Sequence, residues 1–124
     1  MHNFKDLKFW QKAVDLSVLI YKTTATFATF PTEEKFGLVS QLRRATISIA
    51  SNIAEGASRN GDKEFLHFLS LSTGSAFEIE TQLIIANKLN YIKETELETL
   101  LLYLSEIQKM IYSFSKKIKE TKNI

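Results

Sequence analysis

The sequence predicts an all-α fold, an antiparallel up-and-down four-helix bundle forming one domain over residues 1–124. Three observations point there. Turn residues are sparse, with a single proline and four glycines, whereas an all-β fold needs frequent punctuation. The breaks that do occur, at Phe30-Pro31, Gly56 to Gly61 and Leu89-Asn90, leave four long segments whose apolar residues recur at three- and four-residue steps. At 1.5 Å rise per residue the segments measure roughly 30 to 40 Å, and matched helices with short connections pack side by side.

The first helix is expected over residues 7–27, with Trp10, Ala13, Val14, Ser17, Tyr21 and Thr24 on its inner stripe and Leu16, Leu19 and Ile20 widening it. The chain turns at Pro31, which fits a first helical turn. Glu33 and Glu34 then complement the dipole of a second helix over residues 32–55. Leu38, Leu42, Ile49 and Ile53 form its apolar stripe. Gln41, Ala45, Ser48, Asn52 and Glu55 form a second, polar stripe with Arg44 beside it. Gly56 suits the left-handed residue that follows a helix end, and Asp62 suits an N-cap.

The third helix is expected over residues 63–89, with Phe65, Phe68, Leu69, Ser72, Ala76, Ile79, Leu83 and Ala86 facing the core. Gly74 and Ser75 are poor helix formers, and their small size would let a neighbouring helix approach closely. Asn90 closes this helix, and Tyr91-Ile92 folds back over its end. The fourth helix, over residues 94–120, carries two stripes. One is Leu97, Leu101, Leu104, Gln108, Ile111 and Ile118; the other is Leu100, Tyr103, Ile107, Met110 and Phe114. They form either one broad core face or a core face plus apolar surface for a second copy.

Composition narrows the function classes. A chain of this length buries roughly two thirds of its unfolded surface, enough for one core. The absence of cysteine removes disulfides and thiolate metal sites and fits an intracellular protein. The opening MHNFKDLKFWQK has no apolar signal core, and no run reaches the roughly 18 apolar residues of a membrane span. A cytoplasmic location without a membrane partner is the expectation. The net charge of +2 is too small to argue for nucleic acid by itself.

Phe4-Lys5-Asp6-Leu7 with Trp10-Gln11-Lys12-Ala13, then Phe30-Pro31, Glu34 and Gly37-Leu38, are the first pieces of a wider pattern. Ser40-Gln41-Leu42-Arg43-Arg44-Ala45, Ser48-Ile49 and Ser51-Asn52-Ile53-Ala54-Glu55-Gly56 form its most specific block, and Gly74-Ser75 with Glu78, Glu80 and Gln82 follow it too. Together these pieces resemble the 23S rRNA-intervening-sequence proteins. Ala50 departs from the pattern, because the family usually carries proline there, and should leave the second helix straighter. The resemblance implies an up-and-down bundle that assembles into a homopentamer, in a bacterial family without an established activity. Its fold is similar to that of the accessory variability protein of diversity-generating retroelements, a basic pentamer that binds a reverse transcriptase and nucleic acid. That likeness is an analogy between folds.

No catalytic or cofactor constellation emerges. Glu64 and His67 have the Glu-x-x-His spacing of di-iron bundles, but such sites need a second copy and two further glutamates, and the only other histidine is His2. Arg59 and His67 invite comparison with helical RNases that pair these residue types more closely, yet seven residues and a loop-to-helix junction separate them here. Ser113 to Lys116 matches Ser-x-x-Lys without any supporting partner.

The polar stripe is the richer case. Gln41, Arg44, Ser48, Asn52 and Glu55 can face Ser75, Glu78 and Gln82 of the third helix. The expectation is a buried network centred on an Arg44–Glu78 pair, in which removing one partner costs about 3 kcal/mol. The competing reading is a ligand cleft lined by the same groups.

Charge is unevenly placed. One end of an up-and-down bundle collects Lys5, Lys8, Lys12, Arg59, Lys63, Lys116, Lys117, Lys119 and Lys122 against Asp6, Glu55, Asp62, Glu64 and Glu120, a surplus of four positive charges. The other end holds Lys22, Lys35, Lys88 and Lys93 against Glu33, Glu34, Glu94, Glu96 and Glu98. A five-fold assembly would multiply the basic end into a ring that attracts phosphate backbones. The expected function is a non-enzymatic oligomeric binding or scaffold protein, without cofactor or metal, that docks nucleic acid or a nucleic-acid enzyme through this end. The alternatives are a purely structural oligomer with a protein or small-molecule partner, and an RNase resting on Arg59 and His67.

Overall fold

Each of the four striped segments is helical in the computed structural model, which describes residues 2–25 and 30–122. The helices are α1 (Lys8–Thr24), α2 (Leu38–Ala57), α3 (Asp62–Lys88) and α4 (Glu94–Lys122), with short 3₁₀ turns at Phe4–Asp6 and Thr32–Phe36 and no strand among the described residues. The expected first-helix end at Phe27 lies outside the described residues. Around the bundle α1 packs on α2, α2 on α3, α3 on α4 and α4 on α1. Neighbours run antiparallel: Arg43 near the start of α2 reaches Tyr21 near the end of α1, and Phe65 opens α3 beside Phe114 late in α4.

The core is one aliphatic column with contributions from all four helices. Leu16 and Ile20 meet Leu42, Ile49 and Ile53, then Leu69, Ile79 and Leu83, then Leu104 and Ile107, all essentially inaccessible. On α1 the buried line is Phe9, Ala13, Leu16, Ile20 and Thr24, rotated from the expected stripe. Trp10, Val14 and Ser17 are half-buried and Tyr21 is exposed. The reason is that α1 packs against α2 and α4 together, so its most buried line points between them. Tyr21 instead supports the Arg43 guanidinium, 4.5 Å from its ring centre. On α4 both stripes feed one core face, Leu97, Leu104 and Ile111 from the first and Leu100 and Ile107 from the second.

The helix boundaries correct three expectations. The second helix begins at Leu38 and not Thr32, because residues Thr32–Phe36 wind as a 3₁₀ turn and Gly37 (φ −107°, ψ −112°) breaks the path. Glu34 closes that junction, accepting the Leu38 N–H at 3.1 Å and the Tyr91 hydroxyl at 3.3 Å. The extended residue before α3 is Gly61, so Asp62 sits in the first turn beside the positive end of the helix dipole and is not the N-cap.

Gly56 is not a left-handed terminator either. It lies inside α2, is buried, and no described glycine has positive φ. A Cβ on Gly56 would stand 2.7 Å from Phe68 Cβ and 3.0 Å from Phe65 Cδ1, so its smallness is what brings α2 against α3. Ser75 does serve the close approach expected of it, whereas Gly74 is exposed and has nothing within 4 Å of its would-be Cβ. Asn90 adopts φ 63°, and the Tyr91 N–H reaches the Ala86 carbonyl at 2.8 Å, ending α3 as expected. Ile92 then folds back into the core.

Candidate nucleic-acid interface at the basic end

The polar stripe divides into a buried seam and two exposed ends. Between α2 and α3 the Ser48 and Ser75 hydroxyls lie 3.0 Å apart, and Asn52 donates to the Ser48 carbonyl at 2.9 Å and to its hydroxyl at 3.0 Å. Ser72 donates to the Ile49 carbonyl at 2.9 Å. These groups satisfy one another and hold the two helices in register. Gln82 adds only a long contact to Gln41, 3.4 Å, and its own oxygen is buried without a partner among the described residues.

Arg44 does pair with Glu78, at 3.2 Å, but the side chains are 64% and 48% exposed, which overturns the expectation of a buried pair. Ala45 and Ser75 are small enough to bring the backbones together, and the longer side chains therefore splay outward. Glu55 turns away from the seam to Arg59 at 3.5 Å. Arg44→Ala is accordingly expected to cost less than about 1 kcal/mol in urea unfolding, in line with exposed pairs. A loss near the 3 kcal/mol of a desolvated pair would contradict this placement.

At the other end of α2 four pieces of chain converge. The His2 N–H donates to the Ala57 carbonyl at 3.0 Å, tying the opening segment to the end of α2. The His2 ring lies 5.1 Å from Phe65 and 5.6 Å from Phe114, and Phe114 lies 5.2 Å from Phe9 and 5.4 Å from Phe65. Phe4 stacks edge-on against Trp10 at 5.1 Å, and Gln11 donates to the Lys5 carbonyl at 2.8 Å. This knot of rings fixes the opening segment, the start of α1, the start of α3 and the end of α4 relative to one another.

The predicted cations fall around that knot with two adjustments. Lys5, Lys8, Arg59, Lys63, Lys116, Lys117 and Lys119 are exposed. Lys122 closes α4, and its side chain lies outside the described residues. Lys12 does not belong to the end. It pairs with Glu106 in the middle of α4, lies 4.9 Å from the Tyr103 ring centre, and the hydrogen bond to Glu106 raises its pKa above the ordinary lysine value. The surplus of positive charge at this end is therefore one smaller than the sequence count. Arg59, besides its Glu55 pair, lies over Phe68 at 5.1 Å. Lys5, Lys8, Lys63, Lys116, Lys117 and Lys119 form no ion pair among the described residues.

A cavity of about 260 Å³ opens beside the knot, lined by His2, Asp62, Phe114, Lys117, Ile118 and Thr121. Sequence reading passed over it because His2 looked like an isolated residue at the chain start. The available signal was that Phe9, Phe65 and Phe114 all fall in turns sharing one end of the bundle.

His67 is exposed and meets the edge of Phe68 at 5.6 Å, so the one ring lies beside both Arg59 and His67. Among the described residues no group of three or more metal-ligating side chains is placed to hold an ion. Ser113 lines a groove of about 580 Å³ between α3 and α4, together with Phe77 and Tyr112, which are 57% and 69% exposed. No helix among the described residues is long and apolar enough to cross a membrane.

The model of the family described as 23S rRNA-intervening sequence protein matches residues 5–113. A crystal structure from Bacteroides thetaiotaomicron VPI-5482, of a protein with unknown function from the S23 ribosomal protein family, superposes with a TM-score of 0.80. It is 25% identical, and the match covers 90% of this chain and 98% of that one. No curated protein matches the chain.

Proposed function

Because the chain belongs to the 23S rRNA-intervening sequence protein family, we propose that it is a non-enzymatic oligomeric scaffold whose basic end docks nucleic acid. The observation that supports this reading is the group of exposed lysines that form no ion pair among the described residues, Lys5, Lys8, Lys63, Lys116, Lys117 and Lys119, around the aromatic knot. Cations left free of carboxylates can release the counterions of a phosphate backbone, and that release drives binding without reading sequence. Self-association, as a pentamer or another ring, would repeat the basic end and multiply its affinity through avidity. The exposed Phe77 and Tyr112 along the α3–α4 groove supply apolar surface suited to such contacts.

The test is binding of generic RNA and DNA duplexes across a salt series. The expected result is measurable affinity at about 50 mM salt, falling linearly on a log–log plot at roughly 0.9 per phosphate contact. No binding at that salt would refute nucleic-acid docking and leave the purely structural oligomer. RNA cleavage by the pure protein, abolished in His67→Ala, would overturn the non-enzymatic reading in favour of the Arg59 and His67 pair.

A further inference from the structure

We propose that the cavity beside the aromatic knot is a pocket for one unpaired, amino-bearing base of a single-stranded nucleic acid. The inference rests on the reading of the basic end as a phosphate-docking surface and deepens it. The cavity is about 260 Å³, just under the roughly 300–1,000 Å³ of pockets that enclose drug-sized ligands, so it suits a single ring system.

Part of its lining is apolar, from Phe114 and Ile118. Phe114 is held by Phe9, Phe65 and His2 at 5.2, 5.4 and 5.6 Å, so an aromatic surface stands ready without reordering. Every base has a π-face, and stacking on such a platform is how proteins hold unpaired strands. In a duplex those faces are already stacked on one another.

The rest of the lining is polar and of different kinds, the His2 imidazole, the Lys117 ammonium, the Asp62 carboxylate and the Thr121 hydroxyl. A site for phosphate alone has no use for a carboxylate. A base with an exocyclic amine uses both charges, donating its N–H to Asp62 as cytosine N4 does to acidic side chains, while its phosphate meets Lys117. Asp62 is half-buried and forms no ion pair among the described residues, which leaves its oxygens to accept.

The experiment is fluorescence anisotropy with three labelled single strands of equal length and charge: oligocytidine, oligouridine and an abasic strand. Each is titrated across one salt series with wild-type protein and with Asp62→Asn. Oligocytidine is expected to bind about tenfold more tightly than the abasic strand, the effect of losing one stacked base. Its preference over oligouridine should shrink in Asp62→Asn, with circular dichroism confirming an intact fold. Equal affinity for the abasic strand and oligocytidine throughout would overturn the base pocket while leaving phosphate docking intact. No binding of any strand even at low salt would overturn both.

Discussion

Gly56→Val is expected to lower unfolding stability by about 3 kcal/mol, at the upper end of the overpacking range. The first atom of any side chain there meets Phe68 Cβ at 2.7 Å, Phe65 Cδ1 at 3.0 Å and the Phe65 carbonyl at 3.3 Å. Two of these sit on or next to the α3 backbone, so no rotamer change relieves the clash and the helices must separate. Losing glycine returns only up to about 1 kcal/mol of backbone entropy in a helix interior. Separation would also stretch the neighbouring Ser48–Ser75 and Ser72–Ile49 hydrogen bonds. The measurable consequence is a melting temperature lower by roughly 10 °C in a chain of this size. An unchanged midpoint in thermal or urea unfolding would mean that α2 and α3 do not approach as closely as the packing requires.

Phe65→Ala is expected to cost about 4 kcal/mol, the range for deleting a buried aromatic ring. Phe65 is 2% exposed and touches both His2 and Phe114, so its loss leaves a cavity where the opening segment, α3 and α4 meet. Domains of this kind are stable by only about 5–15 kcal/mol, so the variant should remain folded but lie close to its transition at moderate urea. Phe65→Leu should recover a large part of the loss, because it restores most of the volume. If Phe65→Ala unfolded at the wild-type urea concentration, the aromatic knot would not be what fixes the basic end.

The features legible in the sequence are the ones set by neighbouring residues. Asn90 ends α3 because a short polar side chain tolerates a left-handed backbone, and that preference is local. Of the expected α3 core positions, Phe65, Leu69, Ser72, Ala76, Ile79, Leu83 and Ala86 are buried as helical periodicity indicates, whereas Phe68 is only half-buried, set against Gly56 with Arg59 over its ring. What escaped depends on a partner distant in sequence. Gly56 looks like a helix terminator from its neighbours, and only the position of Phe68 shows it as a packing glycine. The spacing of Arg44 and Glu78 revealed that they could meet but not that they meet in solvent, since exposure depends on how far small residues let the backbones close. Lys12 looks like part of the basic end until Glu106 arrives from α4. The α1 stripe lies about one position from the expected one because Trp10 and Tyr21, though large and apolar, sit at the edge of the core.

The most direct test of docking at the basic end compares the two ends of the bundle. Lys116, Lys117 and Lys119 are replaced by alanine in one variant and Lys35, Lys88 and Lys93, all exposed at the opposite end, in another. Both lose the same formal charge, so a non-specific effect of net charge is matched. The expected result is that only the first variant loses affinity for RNA, by at least about tenfold at low salt, with a log–log salt slope shallower by up to about 3. Equal losses in the two variants, or none in the first, would contradict docking at the basic end.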